Sequence, residues 1–347
     1  MSLPRTILLG SVALFGLIAV VGVVKKTSNT TAKKNTAPLQ KTQVLSVKAS
    51  PTPPKTVPAP VSATQTSPLP VKPMAPVIKA EAKDDFPEMD RIHQLFTTGP
   101  TKLPIVETVS YSSSVPWLKG RPAWVADYAS HYQTSRHFIA RSLNGKSDYF
   151  SQKIATGNRF NVFRADKRVE FYLLIDVSRL KMGFYYVDLD TQERVLLKTY
   201  KVGLGRTNPG AASGCTTPLG KYSLGSKIAI YKPGITGFLQ DQKVEMIRIF
   251  GTRWIPFDQE LENTSAPAKG YGIHGAPWKE DPKTGQLVEN RNCIGTNDSD
   301  GCIRLQSEDM EELFSIVITK PTYVVIVKDF HEAMLPGTEV VSPKRKE

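Results

Sequence analysis

Residues 171–205, FYLLIDVSRLKMGFYYVDLDTQERVLLKTYKVGLG, decide the fold class. Phe171 to Val177 is nearly continuous apolar sequence, Met182 to Leu189 repeats the pattern, and Val195 to Gly205 follows the polar Asp190 to Glu193. Apolar runs of this length, rich in aromatic and branched residues and joined by short polar connections, predict consecutive strands. No helical segment intervenes to carry a crossover, so the strands are expected to be antiparallel.

Working toward the C-terminus, Thr217, Pro218, Leu219 and Gly220 predict a turn before the strand-like KYSLGSKIAIY of residues 221–231. VEMIRIF at 244–250 alternates and predicts another strand, and YGIHG at 271–275 predicts a short strand ending in a turn. Ser307 suits a helix N-cap with Glu308 and Asp309 in the first turn, and that helix would carry Met310, Leu313, Phe314 and Val317 inward. Thr322 to Val327 predicts the final strand. The expected class is mainly β, with one late helix, over residues 170–330, followed by a tail at 331–347.

Upstream, folded sequence begins near Phe86. Asp90 to Phe96 predicts a short helix with Ile92, Leu95 and Phe96 on one side, and Pro122 to Leu143 predicts two short helices interrupted around Gln133 to Ser135 and stopped by Asn144 and Gly145. Residues 86–165 read as a small helical module; with the helix start TSRHFI at 134–139 and KIATGNRFNVF at 153–163, its later part resembles the second half of a LysM module, a fold that grips cell-wall glycan strands.

The chain has 347 residues and a formal charge of +13, with three cysteines. Three cysteines are too few to staple that length, which excludes a disulfide scaffold. Residues 1–80 hold Arg5 and nine lysines and no acidic residue, which leaves +3 for residues 81–347. The basic excess therefore belongs to a tail and does not describe a nucleic-acid groove. Ile7 to Val24 is an 18-residue uncharged run flanked by Arg5, Lys25 and Lys26, the length and composition of a membrane span. Residues 1–26 are thus expected to be a membrane anchor or a signal segment; the poor cleavage site at Val23 to Lys26 favours the anchor. Lysines after the span oppose an outward C-terminal side under the positive-inside bias. Residues 27–85, with prolines at 51, 53, 54, 58, 60, 68, 70, 73 and 76, read as an extended tether that cannot bury enough apolar surface to fold.

The chemistry is concentrated at Tyr271-Gly-Ile-His274-Gly275 and at Ser299-Asp300-Gly301-Cys302-Ile303-Arg304-Leu305. A cysteine thiol has a pKa of about 8.5, so an attacking cysteine needs a base or a cation nearby. His274 lies 28 positions upstream of Cys302 and meets it only through tertiary structure. Gly301 allows a tight turn that brings amide groups toward a bound carbonyl, and Arg304 falls on the face of Cys302 if the backbone is extended. No C-x-x-C pair or phosphate-cradling glycine loop occurs, so no metal and no cofactor are expected.

This pattern resembles the catalytic domain of the L,D-transpeptidases, the YkuD family, over about residues 170–328. YKVGLG, TTPLGKYSL and KPTYVVIV extend the likeness. The resemblance implies a YkuD-like β-sandwich with Cys302 as nucleophile, His274 as base, and the backbone of Gly275 orienting the imidazole. It also implies Gly301 in the catalytic turn, with Arg304, Ser299, Asp300 and Tyr271 around the substrate. The substrate it implies is a peptidoglycan stem peptide, cleaved with release of D-alanine. The acyl group then passes to a neighbouring stem amine, to water or to a lipoprotein lysine. Mature peptidoglycan lies outside the cytoplasmic membrane, so the expected location is a single-pass inner-membrane protein with its catalytic end on the periplasmic side.

Two departures stand out. Asp300 occupies the place of the family's second histidine, where a carboxylate raises the cost of forming thiolate. The interval from His274 to Cys302 is also longer than usual, which predicts an insertion in PWKEDPKTGQLVENRNCIGTND at 277–298 that hangs over the site as a lid. Within it, Cys293 stands 19 residues after His274 but lacks the preceding glycine and following arginine, and pairing with Cys215 is its alternative use.

Overall fold

The computed structural model describes residues 85–146, 153–207, 216–239 and 241–341. The chain divides between Val77 and Ile78, and all described residues lie in the second unit. The apolar run at 7–24, the tether and Cys215 fall outside them. No helix among the described residues is long and apolar enough to cross a membrane.

The described elements, in chain order, begin with α1 (His93–Phe96), β1 (Val106–Ser110), α2 (Val125–His131), α3 (Arg136–Asn144) and β2 (Arg159–Phe163). The central segment supplies β3 (Val169–Asp176), β4 (Lys181–Asp188), β5 (Glu193–Lys201), β6 (Leu204–Gly205) and β7 (Gly220–Leu224). Next come β8 (Ala229–Ile230), β9 (Thr236–Leu239), β10 (Gln242–Glu245), α4 (Ile247–Phe250), β11 (Arg253–Glu262) and β12 (Gly272–Gly275). The chain closes with β13 (Trp278–Glu280), β14 (Leu287–Glu289), β15 (Asn297–Ser299), β16 (Ile303–Leu305), α5 (Ser307–Val317), β17 (Thr322–Val327) and β18 (Thr338–Glu339).

The fold is mainly β. Among the described residues one ten-stranded sheet runs β16-β12-β11-β7-β17-β3-β4-β5-β18, with β8 on β11. β3, β4 and β5 are antiparallel neighbours, while β17 is parallel to β3 and β12 is parallel to β16. The near-continuous apolar character of β3 and β4 has a direct cause: both faces are covered. Phe171, Leu173, Ile175, Phe184 and Tyr186 enter the main core, whereas Tyr172, Leu174, Tyr185 and Val187 enter a second cluster closed by Phe86.

α5 buries Met310, Leu313, Phe314 and Val317 in the main core. Its N-cap is Gln306, not Ser307; Ser307 is the first helical residue, and its amide donates to Glu289 Oε1 at 2.5 Å. The strand expected at 244–250 is corrected beyond its first two residues. β10 ends at Glu245 and Ile247–Phe250 is a helical turn, because the backbone must fold back at Gly251 to reach β11.

The segment at 86–165 contains the three expected helices and also β1, whose half-exposed VETVS lacks a clear apolar alternation. β1 and β2 pair antiparallel around α2 and α3. Tyr111, Tyr128, Ile139 and Phe160 form a local core, but Val106, Phe138 and Phe163 join the main one.

Candidate active site

The register of β12 and β16 positions the chemistry. Ile273 pairs with Ile303 and His274 with Arg304, so Cys302, one residue before β16, stands beside Gly272. Ile273 and Ile303 are fully buried. Alternation along a strand then sends Cys302, His274 and Arg304 to the opposite face, Cys302 and His274 being diagonal neighbours on adjacent strands.

His274 is buried between two rings, Phe250 edge-on at 5.4 Å and Trp254 tilted at 5.8 Å. Its Nδ1 lies 2.8 Å from the Gly275 carbonyl oxygen. A carbonyl only accepts, so Nδ1 carries the proton and Nε2 is left as the basic nitrogen. Burial pushes the imidazole down from 6.5 to about 4, against the Gly275 and Phe250 carbonyls, which favour its protonated form; the Arg304 charge lowers it further. The ring is neutral in the resting site.

Cys302 is half-buried, and burial raises its thiol to about 11. The Gly272 backbone and the Arg304 charge oppose that rise, and Asp300 adds to it. Among the described residues its sulfur donates to the Gly270 carbonyl at 3.7 Å and not to the imidazole. The resting arrangement is therefore a neutral thiol and a neutral base on one face of the sheet. It is not a preformed ion pair.

The turn that presents the sulfur has a strict steric requirement. Gly301 has φ +104°, and a Cβ there would sit 2.5 Å from Tyr271 Cε1 and 2.9 Å from the Thr216 carbonyl oxygen. The Ser299 hydroxyl accepts from the Gly301 amide at 3.1 Å and donates to the Cys302 carbonyl at 2.7 Å. The Gly301 amide is thus paired with Ser299, and Ser299 is itself buried, bracing the turn.

The remaining residues form charged pairs at the rim. Arg304 Nη1 meets Asp298 at 2.7 Å, while its buried Nε has no hydrogen-bond partner. Asp300 is exposed and meets Arg206 Nη1 at 3.1 Å. Tyr271 is half-buried, its ring against Gly301. Cys293 is a buried free thiol that donates to the Asn290 carbonyl at 3.1 Å, and burial raises it as well.

The insertion is an ordered hairpin, β13 with β14, and not a loose lid. It is fastened at one end by Glu289 to Ser307 and at the other by the Gly295 amide donating to the Val202 carbonyl at 3.0 Å. Phe250, Trp254, Gly270, Arg206 and Asp298 escaped the sequence reading. Gly270 and Asp298 directly precede the two motifs, whereas Phe250, Arg206 and Trp254 reach the site through long-range contacts, Trp254 by standing opposite His274 in β11.

Against this geometry, the match to known families is specific. Residues 170–327 match the YkuD family, the L,D-transpeptidase catalytic domain. No curated protein matches the chain. Among solved structures, that of Bdellovibrio bacteriovorus Bd1075 is 15% identical, with a TM-score of 0.30, over 46% of this chain and 48% of that one. The helical cell shape determining protein Pgp2 from Campylobacter jejuni is 16% identical, with a TM-score of 0.31, over 49% of this chain and 51% of that one. The chain therefore spans about half the length of each.

Proposed function

We propose that the protein is a cysteine-dependent L,D-transpeptidase acting on peptidoglycan stem peptides. The observation that carries the reading is the YkuD match over residues 170–327 together with His274 and Cys302 on one face of adjacent parallel strands. In the first step the Cys302 sulfur attacks the carbonyl of the third stem residue as its proton passes to His274 Nε2. The terminal peptide C–N bond then breaks, and D-alanine leaves with that proton on its nitrogen. In the second step the amine of a neighbouring stem attacks the thioester carbon, the C–S bond breaks, and the amine proton returns to sulfur through His274. With water as acceptor the same site is a carboxypeptidase, and with a lipoprotein lysine it anchors protein to the wall.

We further propose that residues 7–24 anchor the chain in the inner membrane and that residues 27–85 carry the catalytic end into the periplasm, where this polymer lies. The segment at 86–165, with its two helices between paired strands, would help hold glycan strands.

A second reading is favoured by one observation: the sulfur bonds Gly270, not the imidazole, and its thiol is held near 11. A domain that only docks on peptidoglycan would tolerate this. A carbapenem decides between them, since family members form a stable thioester with it. The transferase reading expects an adduct mass on the wild-type protein and on Cys293→Ser, and none on Cys302→Ser. An unmodified wild type under the same conditions would leave only docking.

A further inference from the structure

A cleft of 390 Å³ lies where the segment at 86–165 meets the large sheet, and it shares no residue with the site around Cys302. Three stretches of chain line it. The end of α2 supplies His131, Tyr132 and Gln133, the residues from 167 to 170 run into β3, and Thr319 to Pro321 join α5 to β17.

The charges along this lining are unequally answered. Lys167 Nζ meets the buried Asp188 at 2.5 Å, Arg168 Nε meets Asp190 at 2.8 Å, and Glu170 accepts from the Tyr172 hydroxyl at 2.8 Å. Lys320 differs. Its half-buried ammonium lies 5.5 Å from the centre of the Phe163 ring, and burial lowers its pKa with no neighbouring charge acting against that. The ring face and the negative end of α5, just upstream, both favour a cation here. Neither is a counter-ion, and an ammonium drawn out of water without one favours any ligand that brings an anionic group.

The opposite wall suits a sugar. His131 stacks on Trp117 with centroids 4.3 Å apart and planes within 7° of parallel, and it meets Tyr132 edge-on at 4.8 Å. Aromatic surface beside a charge and an amide is the mixture that holds and orients a small polar ring. The amide comes from Gln133, an exposed residue on the rim held at φ +45°, a conformation that costs energy in a residue with a Cβ.

We propose that this cleft binds an anionic saccharide, with Lys320 on its phosphate or carboxylate group and the Tyr132 wall against the sugar ring. The inference deepens the reading of residues 86–165 as a glycan-holding segment and is independent of the chemistry at Cys302.

Isothermal titration calorimetry on the full chain in detergent micelles tests it, with glucose phosphate, glucuronate, glucose and inorganic phosphate as probes. The wild type is expected to bind glucose phosphate or glucuronate at least about fivefold more tightly than glucose or inorganic phosphate; whichever of the two binds more tightly identifies the anionic group. Lys320→Met keeps an apolar stem over Phe163 and should abolish that preference without lowering the urea midpoint, whereas Lys320→Arg should retain it. Lys232→Met, which removes an exposed lysine between β8 and β9, should leave it unchanged. Inorganic phosphate binding as tightly as glucose phosphate overturns the saccharide assignment. An equal loss in Lys232→Met, full binding by Lys320→Met or a lowered midpoint in that variant overturns the role of Lys320. Chitotriose, a neutral oligomer of N-acetylglucosamine, separates the two readings: its failure to bind the wild type overturns the glycan-holding reading, while its binding without any preference for the anionic sugars overturns the cleft alone.

Discussion

The neutral resting state of Cys302 and His274 makes a quantitative prediction about reactivity. With the thiol near 11 and the imidazole near 4, moving the proton from sulfur to nitrogen costs about 10 kcal/mol at 1.36 kcal/mol per decade. Attraction within an ion pair at roughly 4 Å returns about 4 kcal/mol at an effective dielectric of 20. The thiol form is therefore favoured by about 6 kcal/mol, and thiolate in the free enzyme comes from ordinary ionisation near 11. Iodoacetamide alkylation of Cys302, followed by peptide mass, should accelerate close to tenfold per pH unit from pH 6 to 10 without a plateau. At pH 7 it should be on the order of 300-fold slower than a free cysteine of pKa about 8.5. On the proposed mechanism, proton transfer would therefore be coupled to attack on the substrate carbonyl. A rate plateau between pH 6 and 8 that disappears in His274→Asn would reveal a standing thiolate–imidazolium pair and refute this reasoning.

Three further outcomes follow from the same structure. Gly301→Ala places a methyl group against Tyr271 and the Thr216 carbonyl at φ +104°, so denaturant unfolding should show a loss of at least about 1 kcal/mol and adduct formation should fall more than tenfold. Because the folded protein refuses a proton that unfolded His274 accepts at 6.5, wild-type stability should fall as pH drops from 6.5 to about 4, by about 3 kcal/mol; His274→Asn should lose that component when urea midpoints at pH 7 and pH 4 are compared. Lys198 Nζ bridges Asp309 at 2.9 Å and Glu312 at 2.7 Å, so Lys198→Met should cost about 2–3 kcal/mol at pH 7 by leaving two largely buried carboxylates together, and lowering the pH to 4.5 should shrink that cost by protonating Glu312, whose pKa burial already raises.

How far the site could be read from sequence depends on the range of the forces that build it. The strands at 171–205 were legible because apolar runs of strand length broken by short polar connections are a local signal, and α5 because its buried residues recur at helical spacing. His274 and Cys302 were legible because their neighbours, Gly275, Gly301 and Arg304, are sequence neighbours. VEMIRIF shows where that ends. Its alternation favours a strand, yet Ile247–Phe250 turns as a helix because Gly251 adopts φ +61° and packs where a Cβ would lie 2.6 Å from the Ala276 carbonyl oxygen. The contact joins residues 25 apart and has no local signature. It is also what sets Phe250 against the imidazole. The close approach of Gly251 to Gly275 thus couples the unexpected helical turn to the environment that keeps His274 neutral. At Gly251 this approach leaves no room for a side chain between α4 and β12, so the imidazole is positioned by backbone packing that only the folded chain creates.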